Sequence, residues 1–181
     1  MVAIATDRED TRDRGGTAVV FQGEVLSVGE LMRRSDTEPS AAVADAGVRH
    51  TAADNAAHVA ALLHAGDSLA VAWRFGILQT FDDYQSTLRR GGPAAASAVF
   101  DDAPEATGAR ELDAAFAALA DHLATADGWE APSWTADSSR TVPGQWFATT
   151  PAMFRDEAVS DSPPAFRKRG IFITRRALLR A

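Results

Sequence analysis

The chain has 181 residues, 46% of them hydrophobic, with no cysteine and a formal net charge of −7. This length suffices for one domain, and the lack of cysteine excludes disulfides, thiolate metal sites and cysteine nucleophiles within it. The N-terminal ten residues lack the basic and apolar regions of a signal peptide, and no run approaches the ~18 apolar residues of a membrane span. We therefore expect a cytoplasmic protein that does not enter a membrane.

The charges are distributed unevenly along the chain. Residues 1–166 carry 12 basic and 25 acidic residues, whereas residues 167–181 carry the other six basic residues and no acid. An acidic body disfavours nucleic acid, because non-specific binding depends on neutralising phosphates. The basic segment predicts either docking onto the acidic body or binding to an acidic partner, and docking is the more common outcome for such a run.

The first fifty residues predict little helix. Residues 1–16 mix charges of both signs and end in two glycines, which favours a flexible arm. Two β-prone runs follow within residues 17–28, on either side of a Gln-Gly pair, and predict a short N-terminal β-hairpin. We therefore assign residues 17–50 to a short irregular or hairpin segment and residues 51–181 to a helical domain.

The strong helix patterns come after residue 50. T-A-A-D at Thr51 predicts an N-cap and a helix to about His64. A second helix is predicted from residue 68 to the stop signal Gly91-Gly92-Pro93, and a third over residues 111–126. The apolar stripe of the second helix comprises Leu69, Trp73, Ile77, Phe81, Tyr84 and Leu88, widened by Phe75 and Leu78. The fold class is thus mainly α, a small helical bundle.

An aromatic-rich irregular segment follows the third helix. Residues 129–147 hold Trp129, Trp134 and Trp146, and the prolines and glycine among them exclude a long helix. A loop cannot build its own core, so we expect these rings to pack across the helices. The alternative is an aromatic recognition surface.

The C-terminal segment is predicted to fold as a closing element. Ser162-Pro163 is typical of a helix start, Gly170 ends that short helix, and residues 171–173 predict an extended strand. Thr174 can cap a last turn. Phe166 and the two isoleucines then anchor the segment in the body, and the arginines between them face outward.

Few residues offer catalytic chemistry. His50, Asp54 and His58 follow one another at steps of four, which would bring them to one helix face and allow a metal site, provided that the helix begins before Thr51. The adjacent acid pairs point to different sides of a helix and indicate solvated faces or caps. No phosphate-binding loop, nucleophile elbow or dinucleotide fingerprint is present in the sequence. We therefore assign no catalytic residue, no cofactor and no metal.

Six short patterns in the second half carry a resemblance. They are F-D-D-Y at 81–84, A-P-x-x-T-G at 103–108, L-D-A-A-F-A-A-L-A-D-H-L at 112–123, A-P-S-W at 131–134, W-F at 146–147 and S-P-P-A-F-R-K-R-G-I-F-I at 162–173. From about residue 69 onward, about 60% of the chain, the sequence resembles small actinobacterial antitoxin-like proteins encoded beside nucleotidyltransferase-type toxins, some of them fused to a helix-turn-helix. The resemblance implies a partner-binding role. The first fifty residues depart from the pattern and contain no helix-turn-helix, so this chain is not expected to bind DNA by itself.

The leading hypothesis is a non-enzymatic, antitoxin-like interaction module that binds a protein partner through its basic C-terminal segment. Arginine and the aromatic residues dominate binding hot spots. The candidate partner-binding residues are Trp146, Phe166, Arg167, Arg169, Phe172, Arg175 and Arg176. Two alternatives stay open: a transcriptional regulator that binds DNA through the basic tail, and a small metal-dependent enzyme that uses His50, Asp54 and His58.

Overall fold

A computed structural model describes residues 18–21, 24–27 and 47–178. The chain divides into two units, Met1–Asp45 and Ala46–Ala181. In the first unit, strand β1 (Ala18–Phe21) pairs antiparallel with strand β2 (Glu24–Ser27). The turn of the predicted hairpin and the arm at residues 1–16 lie outside the described residues, so both stay predictions.

The second unit is mainly helical, which confirms the prediction of a mainly α fold class. Its first half consists of α1 (Ala52–His64), α2 (Leu69–Trp73), a π-helical turn (Arg74–Leu78), α3 (Gln79–Ser97), a 3-10 turn (Ala98–Phe100) and α4 (Arg110–Asp127). The helix α2, the π-helical turn and α3 follow one another without a break. Within the described part of the chain, no helix is long and apolar enough to cross a membrane.

Local signals set the starts of the first two helices where the sequence predicted them, whereas α3 continues past the predicted stop at Gly91-Gly92-Pro93 to Ser97. The Thr51 hydroxyl accepts from the backbone N–H of Asp54 at 3.1 Å, and the Asp54 carboxylate accepts from the backbone N–H of Thr51 at 2.9 Å. This reciprocal capping box satisfies two N–H groups that the helix itself leaves unpaired. Ser68 caps α2 by accepting from Val71 N–H. Gly92, at a φ of 74°, breaks α3 shortly before its end, since only glycine adopts that conformation readily.

The helix α4 forms the centre of the core. Its buried residues are Leu112, Ala114, Ala115, Phe116, Ala117, Ala118, Leu119, Ala120, Leu123 and Ala124. Because so many of them are alanine, neighbouring helices can approach closely. One such approach involves Gly76 of the π-helical turn, where an added Cβ would lie 2.5 Å from Val59 Cγ2 of α1 and 3.2 Å from Phe116 Cζ. Gly76 therefore lets these helices pack without a side chain between them.

One residue of the predicted stripe lies outside the core. Trp73, Ile77 and Tyr84 are fully buried, but Phe75 is 45% exposed. Phe75 follows Trp73 by two residues, which corresponds to about 200° around a helix of 3.6 residues per turn, so it cannot share that face. It lies edge-on to the ring of His58, with centroids 6.3 Å apart.

The second half of the unit is built from short elements laid over the helices. They are a 3-10 turn (Ser133–Ala136), β3 (Trp146–Phe147), a 3-10 turn (Ala152–Phe154), α5 (Arg155–Asp161), α6 (Pro164–Arg167), β4 (Ile171–Phe172) and a 3-10 turn (Arg175–Leu178). Strands β3 and β4 pair in parallel, with Trp146 beside Ile171 and Phe147 beside Phe172. The extended character predicted for residues 171–173 is thus realised as one strand of a two-residue ladder.

The three tryptophans of the irregular segment pack against the helices. Trp129 stacks on Phe100 with centroids 5.9 Å apart, and its Nε1 donates to the Tyr84 hydroxyl at 2.9 Å. Trp134 Nε1 donates to the carbonyl oxygen of Phe100 at 3.0 Å. Trp146 meets Trp73 edge-to-face at 5.7 Å. Each ring covers apolar surface that a helical bundle alone would leave open to water.

Candidate partner-binding surface

The basic C-terminal segment is attached to the body by buried hydrogen bonds. Arg169 is 5% exposed, and its guanidinium donates to Asp121 Oδ2 of α4 at 2.8 Å, to Ala165 O at 2.8 Å and to Thr135 O at 2.7 Å. Lys168 Nζ adds a second ion pair to the same carboxylate oxygen. Part of the basic run therefore neutralises an acid of the body, in agreement with the more common outcome for such a run.

The electrostatics of Asp121 reflect these two cations. Burial alone would raise the pKa of Asp121, but the hydrogen bonds and charges of Lys168 and Arg169 outweigh burial and lower the pKa below its usual value. The carboxylate therefore stays ionised while it holds the C-terminal segment on α4.

The seven candidate partner-binding residues divide into two groups. Phe166, Arg169 and Phe172 are buried, and Trp146 is half-buried against Trp73. Burial removes the first three from the surface, where they position the segment. The exposed members are Arg167, Arg175 and Arg176. A partner would meet these three arginines and the exposed part of Trp146.

Next to this segment lies an exposed group of apolar side chains. Met153 is 82% exposed, Phe154 44% and Val159 43%, and in the described residues the other exposed large hydrophobic side chain is Phe75. We call Met153, Phe154 and Val159 the apolar patch. They belong to the 3-10 turn and to α5, where Ala158 alone is buried between residues 151 and 160. The other nine residues of this stretch are exposed.

Arginines occur within and beside the apolar patch. The Arg155 guanidinium lies over the ring of Phe147 at 5.1 Å, and Arg175 Nε lies 3.7 Å from Asp161 Oδ2 of α5. Arg176 shares a surface groove with Phe154. Apolar side chains beside arginines are the composition typical of protein–protein interfaces.

The groove has a volume of about 240 Å³. It is lined by Thr149, Thr150, Pro151, Phe154, Glu157, Thr174, Arg176 and Ala177. We call it the C-terminal groove. Thr149 has a φ of 51°, a conformation that a β-branched residue adopts at a cost in backbone strain. Strain of this kind concentrates at ligand-binding sites, although it does not define a ligand.

The residues of the proposed metal site are not arranged as a site. The helix α1 begins at Ala52, after the N-cap Thr51, so His50 lies before the helix instead of one turn below Asp54. Asp54 Oδ2 already accepts from the N–H and the hydroxyl of Thr51, both at 2.9 Å. Within the residues that the structure describes, no group of three or more His, Cys, Asp or Glu side chains lies close enough to hold a metal ion.

The sequence did not identify the apolar patch, although it contains a signal for it. Met153 and Phe154 are adjacent in P-A-M-F-R-D-E-A-V-S-D, in which large apolar residues do not recur at the three- to four-residue spacing of a core-facing helix. Val159 lies in a helix with one buried position, so its exposure follows from the shortness of that helix. The predicted binding surface was instead based on the arginine-rich tail.

Comparisons of the chain with protein-family models, with curated proteins and with solved structures found no match.

Proposed function

We propose that this chain is a non-enzymatic, antitoxin-like interaction module of the cytoplasm that binds a protein partner through its C-terminal surface. The partner that the sequence resemblance implies is a nucleotidyltransferase-type toxin encoded nearby. The observation that carries the proposal is the exposure of Met153, Phe154 and Val159 in the stretch that precedes the C-terminal segment, with Phe154 and the exposed Arg176 lining one groove. Exposed apolar groups of this kind mark interaction sites in soluble proteins.

The residues of the surface have separate roles in this proposal. Met153 and Phe154 supply apolar contact area that a partner removes from water. Arg175 and Arg176 donate hydrogen bonds to acceptors on the partner, and arginine forms them in a fixed fork geometry. The buried Phe166 and Arg169 fix the position of this surface on the body but do not touch the partner.

The test is co-purification of the tagged chain with the toxin-type protein, both expressed together. Phe154→Asp places a charge in the apolar patch, and we expect it to weaken binding about tenfold or more, the scale of a hot-spot substitution above about 1.4 kcal/mol. The double variant Arg175→Glu/Arg176→Glu should do the same. Deletion of residues 162–181 is unsuitable, because it removes Phe166, Ile171 and Ile173 from the core.

Phe75→Asp is the matched control. Phe75 and Phe154 have nearly the same exposure, 45% and 44%, but Phe75 lies on the π-helical turn. The proposal expects Phe75→Asp to bind like the wild type. Equal loss of binding in both variants, or full binding in Phe154→Asp, would place the partner elsewhere and contradict it.

No specific observation favours the DNA-binding alternative. Of the cations at the end of the chain, Lys168 and Arg169 are paired with Asp121, and Arg175 lies near Asp161. These carboxylates would repel phosphates at the same surface. The metal-dependent alternative has no assembled ligand set among residues 47–178.

A further inference from the structure

The C-terminal groove brings together two opposite charges that do not pair with each other. Glu157 of α5 and Arg176 of the last 3-10 turn both line it. Among the described residues, neither charged group makes an ion pair or a side-chain hydrogen bond. Their neighbours Asp161 and Arg175 do pair, at 3.7 Å. The groove therefore offers one acid and one base to a ligand.

The other lining groups of the groove are apolar or hydroxylic. Pro151, Phe154 and Ala177 supply apolar surface, and three threonines complete the lining. A volume of about 240 Å³ lies below the ~300–1,000 Å³ typical of drug-sized pockets, so it suits a small ligand. Apolar lining with a few polar groups is the usual composition of such sites.

We propose that the C-terminal groove binds a free α-amino acid with an apolar side chain. The ligand carboxylate accepts from the Arg176 guanidinium, and its ammonium donates to the Glu157 carboxylate. The side chain packs on Phe154 and Pro151. A zwitterion satisfies both protein charges at once, whereas a simple anion or cation satisfies one and is repelled by the other.

This inference goes beyond the proposed partner binding and does not rest on it. A partner protein could enter the groove with an apolar side chain alone, in which case the two charges would contribute little. The two occupants differ in one respect that can be measured. Only the amino acid requires both a free ammonium and a free carboxylate on the same small molecule.

The experiment is an NMR titration of the full chain with L-leucine, followed through backbone amide shifts of the groove residues. L-leucine at millimolar concentration should shift them in a saturable way. N-acetyl-L-leucine lacks the ammonium and L-leucinamide lacks the carboxylate, so each should bind about tenfold more weakly or not at all, as expected for one lost charged hydrogen bond.

Variants of the protein provide the reciprocal test. Arg176→Gln and Glu157→Gln should each weaken L-leucine about tenfold, and Arg176→Gln should remove the preference for L-leucine over L-leucinamide. Arg89→Gln is the matched control, since Arg89 is exposed and does not line the groove, and the variant should bind L-leucine as the wild type does. The amide spectrum of each variant reports that it is folded.

Two outcomes overturn the proposal. The first is the absence of saturable shifts with L-leucine in the folded wild type. The second is equal binding of L-leucine and both blocked analogues, which would make the groove an apolar docking site only. Because no partner protein is present in these titrations, a lack of amino-acid binding would not affect the result of the co-purification test.

Discussion

Arg169 donates to Asp121 across the junction between the C-terminal segment and the central helix, at 2.8 Å. The pair is one of three hydrogen bonds that the guanidinium donates within the protein. A positively charged segment is thereby joined to an acidic body, and this junction positions the surface that we propose for partner binding.

Arg169→Met should therefore destabilise the fold. It leaves Asp121 with Lys168 as its other cation and removes donors from the carbonyl oxygens of Ala165 and Thr135. Removal of one member of a buried ion pair costs about 3–5 kcal/mol of stability. Because Lys168 remains paired with Asp121, we expect a loss at the lower end of this range, about 3 kcal/mol. Urea unfolding measures the change. Arg167→Met, at an exposed neighbouring position, should stay within about 0.5 kcal/mol of the wild type.

The free energy that this junction contributes to stability should depend on pH in one direction. The pKa of Asp121 is lowered in the folded protein, so its contribution to stability is present above the unfolded pKa, near 3.8, and is lost as the pH falls through the folded value. The free energy of unfolding should therefore fall below about pH 4 in the wild type. Asp121→Asn should show a weaker fall. An identical acid profile in both proteins would contradict the role given to this carboxylate.

His122 is the residue after Asp121 in α4, and we expect it to make stability depend on pH at milder acidity. Burial lowers the pKa of His122, although Asp121 and Asp127 act in the opposite direction, and its ring lies edge-on to Phe166 at 6.1 Å. Below about pH 6.5 the unfolded chain then binds more protons than the folded one, so stability falls as the pH falls. His122→Gln should reduce this slope in urea unfolding between about pH 8 and about pH 5.

A hydrogen-bonded trio joins α3 to the end of α4. The fully buried Tyr84 donates to Asp127 Oδ2 at 2.5 Å and accepts from Trp129 Nε1 at 2.9 Å. Burial, with the hydrogen bond to Asp127, raises the pKa of Tyr84, so the hydroxyl stays protonated. Tyr84→Phe leaves two partners unsatisfied and should cost about 1–3 kcal/mol. In the Trp129→Phe background the same substitution should cost less, because the two residues share one hydrogen bond. Strict additivity would show that this hydrogen bond contributes nothing.

Local patterns in the sequence were sufficient to predict most of the helices, but they did not predict which distant residues contact each other in the fold. The Thr51 cap, the end of α4 at Gly128 and the apolar positions of α4 depend on residues a few positions apart, and the structure agrees with them. The ion pair of Arg169 with Asp121 and the ladder of β3 with β4 join distant parts of the chain, and no local pattern indicates which residues meet.

The candidate surface, too, was only partly predictable from local sequence patterns. The tail was predicted correctly as a folded closing element, with Phe166 as an anchor. Its sequence did not indicate that Arg169 is buried, because a charged side chain is expected at the surface until its partner is known. The exposure of Met153 depends on the absence of a covering element among the described residues, which a sequence pattern does not report.

Gly76 offers a test of how closely the helices approach at the π-helical turn. Glycine inside a helix is less favourable than alanine by about 1 kcal/mol, so an unconstrained Gly76→Ala would stabilise the protein. Here the new Cβ would lie 2.5 Å from Val59 Cγ2 and 3.2 Å from Phe116 Cζ, so the Val59 side chain or the helix that carries it must shift. Overpacking of this kind costs about 1–3 kcal/mol, and we expect a net loss of stability in urea unfolding.

Val59→Ala separates this steric effect from other causes. By itself it deletes two buried methyl groups and should destabilise the protein. In the Gly76→Ala background it removes the atom that the new Cβ meets, so the double variant should be more stable than the sum of the two single changes predicts. Additive losses would mean that Gly76→Ala acts through the backbone of the π-helical turn and not through contact with α1.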